Sequence, residues 1–182
     1  MLDADVAKKR YTSKHRLRNG AEVTFRPIEC TDKDQFKQFF RSLSPASIHF
    51  RFFEIIKDLP EDIVERFCNI DYREEMAIVA ESMDGGIVAV GRLEVDGKTR
   101  RGEYAMVIAD TWQGIGLGVE LLGYLIGVAR DYGLLELHCY ISSDNLRMIG
   151  LAERFSFTVV SSEDDILEMS LPLSGSSPAG IA

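Results

Sequence analysis

The order of apolar and polar positions along this 182-residue chain predicts a mixture of strands and helices. Ala21 to Ile28 alternates as a first strand, with Val23 and Phe25 on one face and Pro27 near its end. Thr31 and Asp32 can cap a helix that runs through about Ser42, because Phe36, Phe39, Phe40 and Leu43 recur at helical spacing. Leu43-Ser44-Pro45 stops that helix, and Pro45 to Phe53 reads as a connecting segment dense in aromatic residues. Pro60 to Asn69 predicts a second helix, with Pro60 in its first turn and Ile63, Val64 and Phe67 inward. Glu75 to Ser82 and Ile87 to Val95 form a strand pair joined by the turn Asp84-Gly85-Gly86. Asp96 to Gly102 makes the next turn, and Gly102 to Asp110 is the strand after it.

The pattern then changes to strand, glycine loop, helix, strand, helix, strand. Trp112-Gln113-Gly114-Ile115-Gly116-Leu117-Gly118 leads into an amphipathic helix that runs to about Tyr132, and Leu134 to Ile141 has the composition of a buried strand. Ser143-Asp144-Asn145 supplies helix-start residues ahead of Leu146, Ile149 and Ala152, which share one helical face. Thr158 to Ser161 and Ile166 to Leu171 give two last strands. Pro172 to Ala182, rich in Gly, Ser, Pro and Ala, is expected to be a disordered tail. No internal repeat is present.

The glycine loop carries the chemistry. Three glycines at alternate positions let main chain approach a ligand without Cβ obstruction, and the N–H groups opening the next helix lack intrahelical acceptors at the positive end of its dipole. Such a junction binds anions. A phosphate-binding P-loop would close on Lys-Ser or Lys-Thr, whereas Gly118 is followed by Val119 and Glu120. A dinucleotide fingerprint would read Gly-x-Gly-x-x-Gly in a first βαβ unit, whereas these glycines alternate and lie late in the chain.

Gln113, Gly116 and Gly118 stand at the defining positions of the Gln/Arg-x-x-Gly-x-Gly/Ala segment, and on them the chain resembles the GCN5-related N-acetyltransferase (GNAT) superfamily. Asn145, followed twelve residues later by Phe157, matches that family's Asn and its helix ending in Gly-Phe. Ser156 replaces the usual Gly, and Ala152 the frequent helical tyrosine. Three further blocks are similar to the catalytic domain of bacterial Pat-type protein lysine acetyltransferases: Phe25-Arg26-Pro27-Ile28; Leu43-Ser44-Pro45 with Arg51-Phe52-Phe53; and Ile70-Asp71-Tyr72 with Glu75-Met76-Ala77.

The resemblance implies an α+β fold: a central, mostly antiparallel mixed sheet, splayed at an acetyl-CoA site, with helices on both faces. It covers about Glu22 to Pro172. The domain expectation is therefore a basic arm over residues 1–20, the acetyltransferase domain over 21–172 and a flexible tail over 173–182. The implied activity is acetyl-CoA-dependent N-acetylation of a lysine on a cytoplasmic protein, with an AMP-forming acyl-CoA synthetase as the first candidate partner. A small-amine acetyltransferase and a silent acyl-CoA-binding module remain open. In the resemblance, the loop from Gln113 through Gly114, Ile115, Gly116 and Leu117 to Gly118 holds the pyrophosphate. The N–H groups of Val107, Ile108 and Ala109 can pair with the pantetheine amides, and Asn145 either contacts the cofactor or caps its helix.

Transfer to an amine needs the amine neutral, yet a lysine near pKa 10.4 is deprotonated in only about one molecule in a thousand at pH 7.4. Glu103 is the candidate general base. It interrupts an otherwise apolar strand, shares a face with Ala105 and Val107, and falls where the resemblance implies a catalytic glutamate. A solvent-facing strand carboxylate is its alternative reading, and Glu81 and Glu94 on neighbouring strands are alternative bases. Tyr104 and Tyr140 read as core aromatics.

Charge adds exclusions. The net charge of -8 argues against a general nucleic-acid partner. Between Met1 and Gly20, however, six basic side chains face two acidic ones, which reads as a solvated arm or as one that docks onto an acidic surface. Cys30, Cys68 and Cys139 show no paired spacing and read as buried free thiols of a reducing cytoplasm; His15, His49 and His138 show no zinc spacing, so no metal is expected. His138 beside Cys139 is a weak nucleophile-base pair, since adjacent strand residues face opposite ways. No apolar run is long enough for a signal or a membrane span. Oligomeric state leaves no mark in the sequence.

Overall fold

The computed structural model describes residues 4–173. The chain opens with α1 (Ala4–Arg10), β1 (Ser13–Arg16) and β2 (Glu22–Pro27), then α2 (Lys33–Ser42), α3 (Pro45–Phe52) and α4 (Glu61–Cys68). Next come β3 (Glu75–Ser82), β4 (Ile87–Asp96) and β5 (Arg101–Ile108), followed by α5 (Leu117–Asp131), β6 (Glu136–Ser142), α6 (Leu146–Arg154), β7 (Thr158–Glu163) and β8 (Ile166–Pro172). One eight-stranded sheet runs in the order β1-β2-β3-β4-β5-β6-β8-β7. Every pairing is antiparallel except β5 with β6, which is parallel. This is the α+β architecture expected.

Small residues bring the layers together. A Cβ on Gly91 would lie 2.7 Å from Leu125 Cδ1, so α5 seats directly on β4 only because that position lacks one. Leu121, Leu122 and Leu125 of α5 are fully buried on that face of the sheet, with Leu93 and Tyr104. The opposite face is covered by α2, α3 and α4, through Phe36, Phe39, Phe40, Ile48 and Val64.

Three expectations are corrected. Residues 4–20 are not a solvated arm: they include α1 and β1, bury Ala7, Tyr11 and Leu17, and contribute β1 as an edge strand paired with β2. Ser13-Lys14-His15-Arg16 is polar throughout, because only one side of an edge strand needs to pack, so period-2 hydrophobicity never signalled it. Pro45 to Phe53 is a helix rather than a connector. Ser44 Oγ accepts from Ser47 N as its N-cap, and Pro45 sits in the first turn, where its missing N–H costs nothing. Cys30 is exposed; Cys68 and Cys139 are the buried thiols.

Leu173 is also buried and donates its N–H to Leu135 O, so the packed domain runs one residue past the expected boundary. The expected tail beyond it lies outside the described residues. Asp32 precedes α2 but gives no side-chain cap; its carboxylate holds the Arg26 guanidinium at 2.7 and 2.9 Å.

Candidate active site

Parallel pairing between β5 and β6 lasts only from Arg101 to Glu103, opposite Glu136 to His138. Beyond that point β6 continues bonded to β8, and β5 to β4, so the two strands part. Ala109 N–H donates to Val88 O on the β4 side. Main-chain groups alternate sides along a strand, so Val107 also turns toward β4, whereas Met106 and Ile108 face the gap. Of the three residues expected to offer N–H groups there, Ile108 has the right direction, and Ala109 is already committed. Ile108 O accepts from Gln113 Nε2 at 3.1 Å, across the mouth of the gap.

A cavity of about 1100 Å³ fills this cleft and reaches from Glu103 along β5 to the glycine loop and Asn145. Its loop end is formed by Gly114 (φ 77°) and Gly116 (φ 100°), the latter being the residue that precedes α5. Both are left-handed positions, where a side chain is strained. Gly116 O accepts from Val119 and Glu120, so the opening N–H groups of α5 are left pointing outward. Gly118 serves packing, because a Cβ there would be 3.3 Å from Ile108 Cδ1 and Leu151 Cδ2. Leu117 is fully buried and Ile115 packs on the core, so neither side chain lines the cavity. Asn145 lines it, but its Oδ1 accepts from Met148 N as the cap of α6.

Loop and helices are latched together by Asp110. Its carboxylate accepts from Ser44 N (2.8 Å), Ser44 Oγ (2.7 Å) and Ser47 Oγ (3.0 Å), which ties the start of α3 to the entrance of the glycine loop. Burial works to raise the Asp110 pKa, but these hydrogen bonds outweigh it and hold the carboxyl below the usual range. Gln113 Nε2 also donates to Ser47 Oγ, and Arg147 donates to Gln113 Oε1.

Glu103 stands at the point of divergence. It lines the large cavity and also a second basin of about 420 Å³, formed with Glu74, Glu75, Glu94, Asp96 and His138. Burial pushes its carboxyl pKa up, and the charge of Glu94, paired with it across β4 and β5, adds to the rise; His138 and Arg51 pull the other way without prevailing. His138 Nε2 lies 4.0 Å from Glu103 Oε2, and His138 Nδ1 is buried without a partner among the described residues. The alternative base Glu81 is engaged by Arg26 at 2.7 Å, and Glu94 lines only the smaller basin.

Sequence reasoning missed Arg18, Arg51 and His138. Arg18 Cγ lies 3.6 Å from where a Gly116 Cβ would be, so a cation from the β1–β2 turn covers the glycine loop. The excess of basic residues before Gly20 was the available signal, misread as a free arm. His138 became visible only through the β5–β6 register, and Cys139 beside it faces away, toward Tyr104. Tyr104 is core, packed on Phe157, whereas Tyr140 is an exposed correction to its expected burial. Ser156 adopts φ 68°, a left-handed position that glycine takes without strain. Ala152, at the usual tyrosine position, is completely buried and offers no hydroxyl.

The profile of the Acetyltransferase (GNAT) family matches residues 39–157. The chain belongs to the GNAT acetyltransferase family. It is 34% identical over 152 residues to the acetyltransferase PA5475 of Pseudomonas aeruginosa, covering 82% of each protein. It is 25% identical over 140 residues to the acetyltransferase Pat of Mycolicibacterium smegmatis, covering 76% of this chain and 42% of that longer protein. Among solved structures, the GNAT domain of S. lividans PAT superposes with a TM-score of 0.85 at 24% identity, over 90% of this chain and 98% of that one. Spermidine N-acetyltransferase from Vibrio cholerae, in complex with CoA and spermine, gives 0.71 at 19%, over 82% and 95%. The structural likenesses are likenesses of fold.

Membership makes this GNAT protein an N-acetyltransferase. Among the described residues, no cluster of His, Cys, Asp and Glu is arranged to hold a metal ion. No helix there is long and apolar enough to cross a membrane.

Proposed function

We propose that this GNAT protein transfers acetyl from acetyl-CoA to a lysine side chain of a cytoplasmic protein, with Glu103 as general base. The observation that carries this is the position of Glu103: its carboxylate forms the wall between the 1100 Å³ cleft and the smaller open basin, where β5 and β6 part. In this reading the acyl donor lies along β5, with its diphosphate at Gly114, Gly116 and the opening N–H groups of α5, under Arg18. The acceptor enters from the basin side. Glu103 takes the ammonium proton, directly or through a water; the freed nitrogen forms a bond to the acyl carbon, and the bond to sulfur breaks with both electrons on the thiolate. A raised carboxyl pKa suits that step, because it makes Glu103 a stronger proton acceptor than an exposed carboxylate. No hydroxyl at position 152 is available to protonate the leaving group, and a thiolate departs without one.

A protein acceptor is favoured by the blocks at Arg51-Phe52-Phe53 and Glu75-Met76-Ala77, together with the sequence match to Pat. An AMP-forming acyl-CoA synthetase is the first candidate: acetylating its catalytic lysine would remove a cation that stabilises charge in adenylation. The second reading is a cationic small amine, favoured by the acidic lining of the basin, Glu74, Glu75, Glu94 and Asp96. Labelled acetyl-CoA supplied with a purified synthetase, and in parallel with a polyamine panel, separates them. One dominant modified lysine in mass spectra, coincident with lost synthetase activity, supports the protein reading. Polyamine turnover without protein labelling replaces it with the second.

A further inference from the structure

Two arginines lie near one another behind Glu103, and they differ in their partners: Arg92 is buried and bonded, while Arg51 lines the cleft. Arg92, on β4, donates to Glu75 Oε2 and to Phe67 O, each at 2.9 Å, and stacks over the Phe67 ring. Arg51, in the last turn of α3, stacks its guanidinium on the Phe52 ring at 4.9 Å, and no hydrogen bond or ion pair joins it to any described residue. Burial, then the charge of Arg92, pulls its pKa down to about 10, so it stays cationic at neutral pH. Glu103 and Glu94 act on it from a distance, which places it at the reacting end of the cleft, where it lines the wall. Its five donors make no bond to a described residue and border the open cleft, where an acceptor on a ligand can take them in place of water.

The diphosphate cannot be that ligand. Glu103 and Ile108 are five residues apart on one strand, so the loop end of the cleft lies roughly 16 Å from the Glu103 end. The anion loop has its own cation there in Arg18. The backbone that carries Arg51 is held in place. Its helix is anchored at the N-terminus by the Asp110 latch, and it ends at Phe53, whose left-handed φ of 57° turns the chain out of the helix directly after it. Planar, stacked on Phe52 and without a counter-ion among the described residues, the guanidinium suits a bidentate planar anion.

We infer that Arg51 is the receptor for a carboxylate carried by one of the two reactants close to the transferred group. The carboxylate has two possible sources: the far end of a dicarboxylic acyl chain on the CoA donor, or an acidic group beside the amine of the acceptor. This inference rests on the cleft being the acyl-CoA site, but not on the acceptor being a protein lysine. It makes Arg51 a specificity residue, distinct from the base.

The test is a matched set of binding measurements on the wild type, Arg51→Lys and Arg51→Gln. Calorimetry compares acetyl-CoA with succinyl-CoA. Fluorescence anisotropy on the CoA-loaded protein compares two labelled peptides, each with one lysine, flanked by alanine in one and by aspartate in the other. Wild type is expected to prefer the carboxylate-bearing member of one pair by roughly 10- to 100-fold, the worth of a charged bidentate contact. Both variants are expected to lose that preference. Arg51→Lys keeps the positive charge beside Glu103 and Glu94, so it separates ligand recognition from simple charge balance, and its circular dichroism guards against misfolding. A preference confined to the CoA pair identifies the donor as the source; one confined to the peptides identifies the acceptor. Wild type without preference in either pair, or a preference unchanged in both variants, overturns the inference. Because these readouts need no turnover, failure to label any protein would leave them intact and would retire only the protein-lysine reading.

Discussion

Gly116 is the position where the proposed donor site is most exposed to a single substitution. Its φ of 100° and ψ of -8° are a conformation that an L side chain adopts only under strain, at about 1–3 kcal/mol. A Cβ there would point at the Arg18 stem, 3.6 Å from its Cγ. In Gly116→Glu the new carboxylate is therefore placed both against the proposed diphosphate and beside Arg18, which covers that position. At about 5 Å each phosphate charge repels it by ~0.8 kcal/mol even at the dielectric of water, so two charges give ~1.7 kcal/mol. Diverting Arg18 to the new carboxylate removes ~1 kcal/mol more of attraction. Together these predict acetyl-CoA affinity at least about 100-fold weaker. Gly116→Ala carries the backbone strain without the charge, so it is expected to melt earlier while retaining most affinity. Calorimetry of both variants, at low and high salt, reads the difference. The glutamate deficit is expected to shrink with salt, since repulsion at this exposed loop is screened. A folded Gly116→Glu protein that binds acetyl-CoA like the wild type would refute the placement of the diphosphate.

Glu103→Gln is expected to lower turnover by roughly 10²–10⁴ while leaving acetyl-CoA affinity nearly intact. The base works deprotonated, so wild-type activity falls as pH drops through the raised Glu103 pKa; Glu94→Gln removes a charge that raises it and so moves that acid limb to lower pH. An unmoved limb in stopped-flow pH profiles counts against the assignment. Asp110→Asn is expected to destabilise the fold by about 1–3 kcal/mol and to raise the KM for acetyl-CoA, because it loosens the latch between α3 and the loop. The folded-state carboxyl pKa is depressed, so this stabilisation is present above the unfolded value and is lost as pH falls through the folded one. Denaturant melts from pH 7 downward check it: the gap between wild type and variant narrows toward the acid end.

Local chemistry was enough to single out the glycine loop, the β3–β4 hairpin and Glu103 as a candidate, because each depends on neighbours in sequence. Glycines that need positive φ, an unbroken apolar run closed by a glycine turn and a lone carboxylate inside an apolar strand all declare themselves within ten residues. The same locality misled at Ser44-Pro45, where helix-start chemistry and helix-stop chemistry use the same residues and only the latch to Asp110, 66 residues away, shows which applies.

By itself, then, the sequence determined the element types over most of the chain, the family and a short list of candidate groups. Direction and partnership came from the tertiary structure alone. That Ala109 spends its N–H on β4, that Arg18 covers Gly116, that His138 comes beside Glu103 and that Arg51 is left without a counter-ion all follow from the register of a sheet whose strands are far apart in sequence. The physical reason is range: propensity and hydrophobic period act over a turn or a strand, while hydrogen-bond commitment and the burial that moves a pKa are set by whichever distant segments the packed core brings into contact.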